Sequence, residues 1–143
     1  MAGRTWTLTG QHSGKLMDVS GVSTADGAAI HQWPATGGDN QRWQAVDAGG
    51  GAVTLRAVHS GKCVEVTGGS TTQGAYLQQA TCATGNQQKF TVTPTGTSGV
   101  YTVRNVLSGL CVDVESAATT DGARLLQWSC HGGTNQQWRF GAA

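Results

Sequence analysis

Charge is scarce in this 143-residue sequence, and several familiar signals are missing from it. Charged residues make up 12 % of the chain, the formal net charge is +1, and no run of Lys or Arg exists to neutralise a row of phosphates or an anionic membrane. Nucleic acid is therefore not expected as a partner, and a neutral molecule is. No apolar stretch approaches the roughly 18 residues of a membrane span, so membrane insertion is not expected either. The opening Met1-Ala2-Gly3-Arg4-Thr5 carries no charged-then-apolar export signal, so a secreted form would have lost its signal. No long stretch has the i, i+3, i+4, i+7 apolar spacing of an amphipathic helix, which limits helices to single turns. Neither G-x-S-x-G nor H-E-x-x-H occurs, and His12, His31, His59 and His131 lack metal-ligand spacing. No catalytic residue, metal or cofactor is expected.

What is abundant is glycine, 22 residues, set between short apolar runs such as Val53-Thr54-Leu55 and Val100-Tyr101-Thr102-Val103. Runs of that length bounded by turn residues predict an all-β domain. The runs also repeat. His12-Ser13-Gly14-Lys15-Leu16-Met17-Asp18-Val19 returns as His59-Ser60-Gly61-Lys62-Cys63-Val64-Glu65-Val66 and again as Leu107-Ser108-Gly109-Leu110-Cys111-Val112-Asp113-Val114. Gly27, Gly74 and Gly122 follow, then Ile30, Leu77 and Leu125, then Gln32, Gln79 and Gln127. Each unit closes with Gln-x-aromatic: Gln41-Arg42-Trp43, Gln88-Lys89-Phe90 and Gln136-Gln137-Trp138. The chain thus divides into three units, about 1–47, 48–95 and 96–143, within one domain spanning 1–143. Three such units can close into a threefold barrel or form three blades of a propeller; propellers usually have at least four blades, which favours the barrel.

Differences between the copies act like mutations made in place. Cys63 and Cys82 are spaced as Cys111 and Cys130 are, and the first unit has Leu16 and Ala35 there, so both cysteines disappear together. Joint loss predicts two disulfides, one in each later unit, against the alternatives of four buried thiols or a zinc site. Disulfides in turn predict an oxidising compartment and a secreted protein. The closing aromatic is large in every copy, as a core residue must be. Ten residues earlier stand Trp33, Ala80 and Trp128, and a position that accepts Trp or Ala is not expected in a core. A carboxylate precedes it (Asp18, Glu65, Asp113) and an amide follows it (Asn40, Gln87, Asn135).

One flat aromatic with a carboxylate and an amide converging on it suits a sugar, whose C–H face stacks on the ring while its hydroxyls donate and accept. The bland alternative is an Asp and an Asn that only cap turns beside an exposed Trp. The second unit lacks the ring and has a longer acid and a longer amide, so working sites are expected in the first and third units and none in the second. Tyr76, where the other units have Ala29 and Arg124, could offer the second unit a substitute ring, but it is expected rather to pack on the surface. His12 and His59, at matching turn positions, are expected to be structural.

The triple Gln-x-aromatic motif, the Cys-Val-Asp-Val and Leu-Gln-Trp-x-Cys segments and the Asn-Gln-Gln-Trp ending resemble ricin B-type lectins over roughly residues 5–140. That resemblance implies a β-trefoil of twelve strands with shallow sites, one per unit, for galactosides or for plant polysaccharides such as xylan or arabinan. It places the hydroxyl-binding acid at Asp18 and Asp113, the stacking ring at Trp33 and Trp128, and the amide at Asn40 and Asn135. It makes Gln41 and Gln136 braces of the acid, and adds His31 in the first unit and His131 in the third as ligand contacts. It also raises an attached catalytic domain, since the family supplies modules to polysaccharide-degrading enzymes; the short ends fit an excised or mature module. A glycosidase of its own would need two carboxylates about 5 to 10 Å apart across one bond, whereas the repeat deals one acid to each unit. A trefoil that binds another protein is the remaining alternative, and it has no need of the Trp, Asp and Asn set.

Overall fold

A computed structural model describes residues 1–143. The short apolar runs become twelve strands: β1 Thr5–Gly10, β2 Leu16–Val19, β3 Ile30–Trp33, β4 Trp43–Gly49, β5 Ala52–Ala57, β6 Cys63–Val66, β7 Leu77–Ala80, β8 Phe90–Pro94, β9 Val100–Asn105, β10 Cys111–Val114, β11 Leu125–Trp128 and β12 Trp138–Ala142. Helix is confined to six single 3-10 turns, as expected where no amphipathic period exists.

The first and last strands of each repeat form a closed ring of antiparallel pairs, β1 with β4, β4 with β5, β5 with β8, β8 with β9, β9 with β12 and β12 with β1. Closure removes the open sheet edge and excludes the propeller alternative. The two middle strands of each repeat form the hairpins β2–β3, β6–β7 and β10–β11. These hairpins are bridged to one another at Ala29 with Gln78, His31 with Arg124, and Tyr76 with Leu126. The protein is a β-trefoil of three repeats with pseudo-threefold symmetry.

The core is built in sets of three. Leu8, Leu55 and Val103 come from the barrel strands, and Met17, Val64 and Val112 from the hairpins, all at or near zero exposure. Trp43, Phe90 and Trp138 fill the space between, and the two indole N–H groups donate to the carbonyls of Met17 and Val112 at 3.1 and 3.2 Å. Burying an indole without such a partner would forfeit one hydrogen bond, about 1 kcal/mol; in the second repeat Phe90 has no N–H to satisfy.

Seams between repeats explain the invariant glutamine. Gln32 donates to the carbonyls of Ala118 and Thr120, Gln79 to those of Ser23 and Ala25, and Gln127 to those of Ser70 and Thr72, so each buried amide holds a turn of the neighbouring repeat. Its oxygen accepts from Ser13, Ser60 or Ser108 of its own repeat. His12 and His59 are structural, each bonding a neighbour's carbonyl, Ala118 and Ser23, at 2.8 Å. Lys15 and Lys62 do likewise and pair with Asp121 and Asp26. In those captured turns Gly27, Gly74 and Gly122 have φ of 85 to 92°, a conformation that L side chains avoid, which is why a glycine recurs there.

Both disulfides are formed, Cys63 to Cys82 and Cys111 to Cys130, and no free cysteine remains. Each ties the first strand of a hairpin to the segment just beyond its second strand. In the first repeat, buried Leu16 fills the corresponding place.

Candidate functional site

Strand alternation aims the acid. In β2, Met17 and Val19 point into the core, so Asp18 between them points the other way, and β10 does the same with Asp113 between Val112 and Val114. Antiparallel register then sets Asp18 opposite His31 and Leu16 opposite Trp33, placing acid, imidazole and indole on one face. In the third repeat the pairs are Asp113 with Leu126 and Cys111 with Trp128.

Asp18 is only 3 % exposed, yet its carboxylate is well supplied with donors. Oδ1 lies 2.8 Å from His31 Nε2, while Oδ2 accepts from Gln41 Nε2 at 2.8 Å and Asn40 Nδ2 at 3.2 Å. Gln41 is fixed by donating to the Pro34 carbonyl and accepting from Thr36 N–H. The His31 and Trp33 rings stack, with centroids 5.4 Å apart and planes 12° apart, so the imidazole backs the indole as well as bracing the acid. Trp33 stays 39 % exposed. Asp18, His31, Trp33 and Asn40 line a depression of about 460 Å³ together with Ser20, Gly21, Val22 and Thr36. Val22 holds φ at 54°, the left-handed region that a β-branched residue rarely enters, so backbone strain is kept at the rim of this site.

The third repeat builds the same arrangement with fewer braces. Asp113, 4 % exposed, accepts from Gln136 Nε2 at 2.8 Å, and His131 Nε2 lies 3.7 Å from the same oxygen. Leu126 offers no donor where His31 stands in the first repeat. Gln136 is anchored as Gln41 is, to the Ser129 carbonyl and His131 N–H. Asn135 reaches the Val114 carbonyl at 3.4 Å, and Trp128 is 40 % exposed. The depression here measures about 530 Å³, within the range of small-molecule sites. All ten predicted site residues therefore gather in two places, five in each: Asp18, His31, Trp33, Asn40 and Gln41; Asp113, Trp128, His131, Asn135 and Gln136.

The second repeat has no corresponding depression; the third cavity of the chain lies at the β8–β9 turn. Glu65 is capped by Gln78 at 2.8 Å and Gln88 at 3.1 Å, Ala80 supplies no ring, and the Gln87 side chain folds back against Gly85.

Two features escaped the sequence reading. Tyr76 does not simply pack on the surface: it lines the third-repeat depression from the neighbouring repeat, its hydroxyl donates to Glu115 at 3.0 Å, and Arg124 lies 3.9 Å over its ring. The surface-packing expectation is corrected because the hairpins meet across the seam, where a residue of one repeat faces the site of the next. Gly38 and Gly133 are the second feature. A Cβ there would fall 2.7 and 2.9 Å from the side-chain oxygens of Asn40 and Asn135, so these glycines keep room for the amides. Their recurrence two residues before each amide, with Gly85 in the second repeat, was the available signal.

Burial holds the Asp113 carboxyl above the ordinary Asp value, against the opposing pull of the Gln136 amide, His131 and Asn135. A carboxyl raised in the fold stabilises most below its unfolded pKa of about 3.9, and that contribution is lost as pH rises through the folded value. A ligand hydroxyl donating to this carboxylate would reverse the preference, because it needs the ionised form. Affinity at the third site is expected to be full near pH 7 and to fall on acidification before an ordinary carboxylate would titrate, with proton release on binding. Calorimetry of a Trp33→Ala variant in buffers of unlike ionisation enthalpy checks this; affinity unchanged down to about pH 4 would count against it.

A family described as ricin-type beta-trefoil lectin domain-like matches residues 1–80, 39–127 and 86–143, which together span the chain. Among solved structures, the designed 3-fold symmetric protein ThreeFoil is 42 % identical with a TM-score of 0.95, over 97 % of this chain and 99 % of that one. The exo-beta-1,3-galactanase of Clostridium thermocellum is 35 % identical with a TM-score of 0.95, over 99 % of this chain but 30 % of that enzyme. The Macrolepiota procera ricin B-like lectin, solved in complex with lactose, shares the fold at 21 % identity and a TM-score of 0.86, over 100 % of this chain and 98 % of that one.

Proposed function

This chain belongs to the ricin-type β-trefoil lectin domain family, and from that premise we propose that residues 1–143 form one carbohydrate-binding domain with two working sites, in the first and third repeats. The observation that carries the reading is the pairing, twice over, of a nearly buried carboxylate with a Trp left about two-fifths exposed. Burying a charge and exposing an indole are each unfavourable for folding alone. A molecule with an apolar face and a hydroxyl edge is recognised by both at once.

Asp18 and Asp113 accept from adjacent hydroxyls, Trp33 and Trp128 stack on the ring, and the side-chain oxygens of Asn40 and Asn135 accept from a further hydroxyl. Gln41 and Gln136 hold the acids, and His31 and His131 give the two sites different edges. The second repeat, with Glu65 capped and no ring at Ala80, is silent. Galactosides are the favoured ligands, because the lactose-bound lectin and the galactanase both have this fold, while xylan and arabinan follow only from the family resemblance. The match to one part of a galactanase supports a targeting role beside a catalytic domain, with no catalysis by this chain itself. Two disulfides support export.

Calorimetric titration with galactose, lactose, arabinose and xylo-oligosaccharides tests this. Two sites per chain are expected for at least one galactoside. Failure of every sugar to bind would sink the proposal, and three equivalent sites would refute the silence of the second repeat.

A further inference from the structure

The two depressions differ in where their walls come from. The first is lined only by its own repeat, residues 18 to 40, whereas the third also takes Gly74 and Tyr76 from the second repeat. By the threefold correspondence, the residue facing the first site in the place of Tyr76 is Arg124. It is not among the residues lining that site; its guanidinium lies 3.9 Å over the Tyr76 ring instead. Opposite Tyr76 stands Glu115, where the first repeat has Ser20, too short to reach as far.

We infer that Tyr76 and Glu115 form a second sugar subsite beside Trp128, so that the third site takes a disaccharide or longer glycan while the first takes a single ring. The inference rests on the two-site reading and deepens it. Tyr76 brings what a second pyranose needs, an aromatic surface for its C–H face. One oxygen of Glu115 is taken by the Tyr76 hydroxyl at 3.0 Å, and the other is left to accept from a sugar hydroxyl. Both side chains are half-buried and line the same depression as Trp128 and Asp113, so one continuous ligand spans them. The Tyr76 ring is also held in advance, by Glu115 at its hydroxyl and Arg124 on its face. A pre-set ring loses little conformational freedom when a ligand arrives, which is the condition for an added contact to raise affinity.

The test removes the first site with Trp33→Ala and titrates the remaining one with galactose, β-1,3-galactobiose and β-1,3-galactotriose. The disaccharide is expected to bind about tenfold more tightly than the monosaccharide, an advantage of the size one added stacking contact brings. Tyr76→Ala in that background should erase the advantage, Tyr76→Phe should keep most of it, and Glu115→Gln should reduce it by about threefold, the size of one weakened hydrogen bond. A disaccharide that binds no better than galactose, or a Tyr76→Ala change that weakens both ligands equally, overturns the subsite while leaving the third site intact. Loss of all binding in the Trp33→Ala protein overturns the two-site reading itself, and the subsite with it. Unchanged thermal unfolding of the Tyr76 variants separates a lost contact from a lost fold.

Discussion

Replacing Trp33 and Trp128 together by alanine is expected to abolish sugar binding, whereas either change alone removes one site and leaves the other at full strength. Each indole offers a flat apolar surface that a sugar's C–H face covers. Removing that apolar contact, together with the geometric preference of an aromatic partner, is worth about 2 kcal/mol, a roughly 30-fold loss in a weak site. Because both rings are about two-fifths exposed in the free protein, their truncation should cost the fold less than loss of a fully buried Trp, and the variants should remain folded. Calorimetry should count two sites, then one in each single variant, then none. A double variant that binds galactosides with parental affinity would refute the assignment of both sites. Loss of both sites on changing Trp33 alone would show instead that the repeats do not act independently.

Reduction of the two disulfides should be the largest single loss of stability. Each closes a loop with a sequence separation of 19, for which loop entropy alone gives about 3 kcal/mol. The two loops do not overlap, so about 6 kcal/mol is expected in all, comparable to the entire stability of many domains. Chemical denaturation with and without reductant measures it, and an unfolding free energy that reductant leaves unchanged would falsify the ledger. The effect on function should be lopsided. Cys111 lies directly opposite Trp128 in the β10–β11 ladder, and Cys130 follows Trp128 by two residues, so a Cys111→Ser, Cys130→Ser variant frees the segment that carries the ring. Binding at the third site should weaken in that variant. The first site, where Leu16 and Ala35 replace the pair, should keep its affinity.

Much of the fold was readable because the chain carries its own controls. Trp43, Phe90 and Trp138 were separable from Trp33, Ala80 and Trp128 since three copies share one backbone and only one position tolerates alanine. The cysteines were paired by the same logic, through joint loss at Leu16 and Ala35. Tyr76 could not be read this way. Its counterparts are Ala29 and Arg124, so no second copy repeats its role, and its partner Glu115 is 39 residues away in the next repeat. The buried glutamines gave the opposite difficulty: Gln32, Gln79 and Gln127 were visible as repeats, but their partners are backbone carbonyls, which leave no trace in side-chain identity. The positive backbone φ of Val22, Ser116 and Ala117 was hidden too, because only the second repeat has glycine at both left-handed positions, Gly68 and Gly69, while the first has it at one, Gly21, and the third at neither.

The seams differ in chemistry. Where the first two repeats reach into their neighbours with His12 and Lys15 or His59 and Lys62, the third presents Leu107 and Leu110, and Gln73 stands where Asp26 and Asp121 receive a lysine elsewhere. Asn105 adds bonds to the carbonyls of Gln87 and Lys89, but it does so in the barrel and not among the hairpins. The boundary between the second and third repeats is fastened instead by Ser129 N–H donating to Gln73, by the Tyr76 hydroxyl donating to Glu115 and by Arg124 over the Tyr76 ring. That joint also lines the third-repeat depression, with Gly74 and Tyr76 from one repeat and Trp128 from the other. It is therefore the one seam of the three without a lysine–carboxylate pair, so added salt, which screens such exposed pairs, should loosen it least.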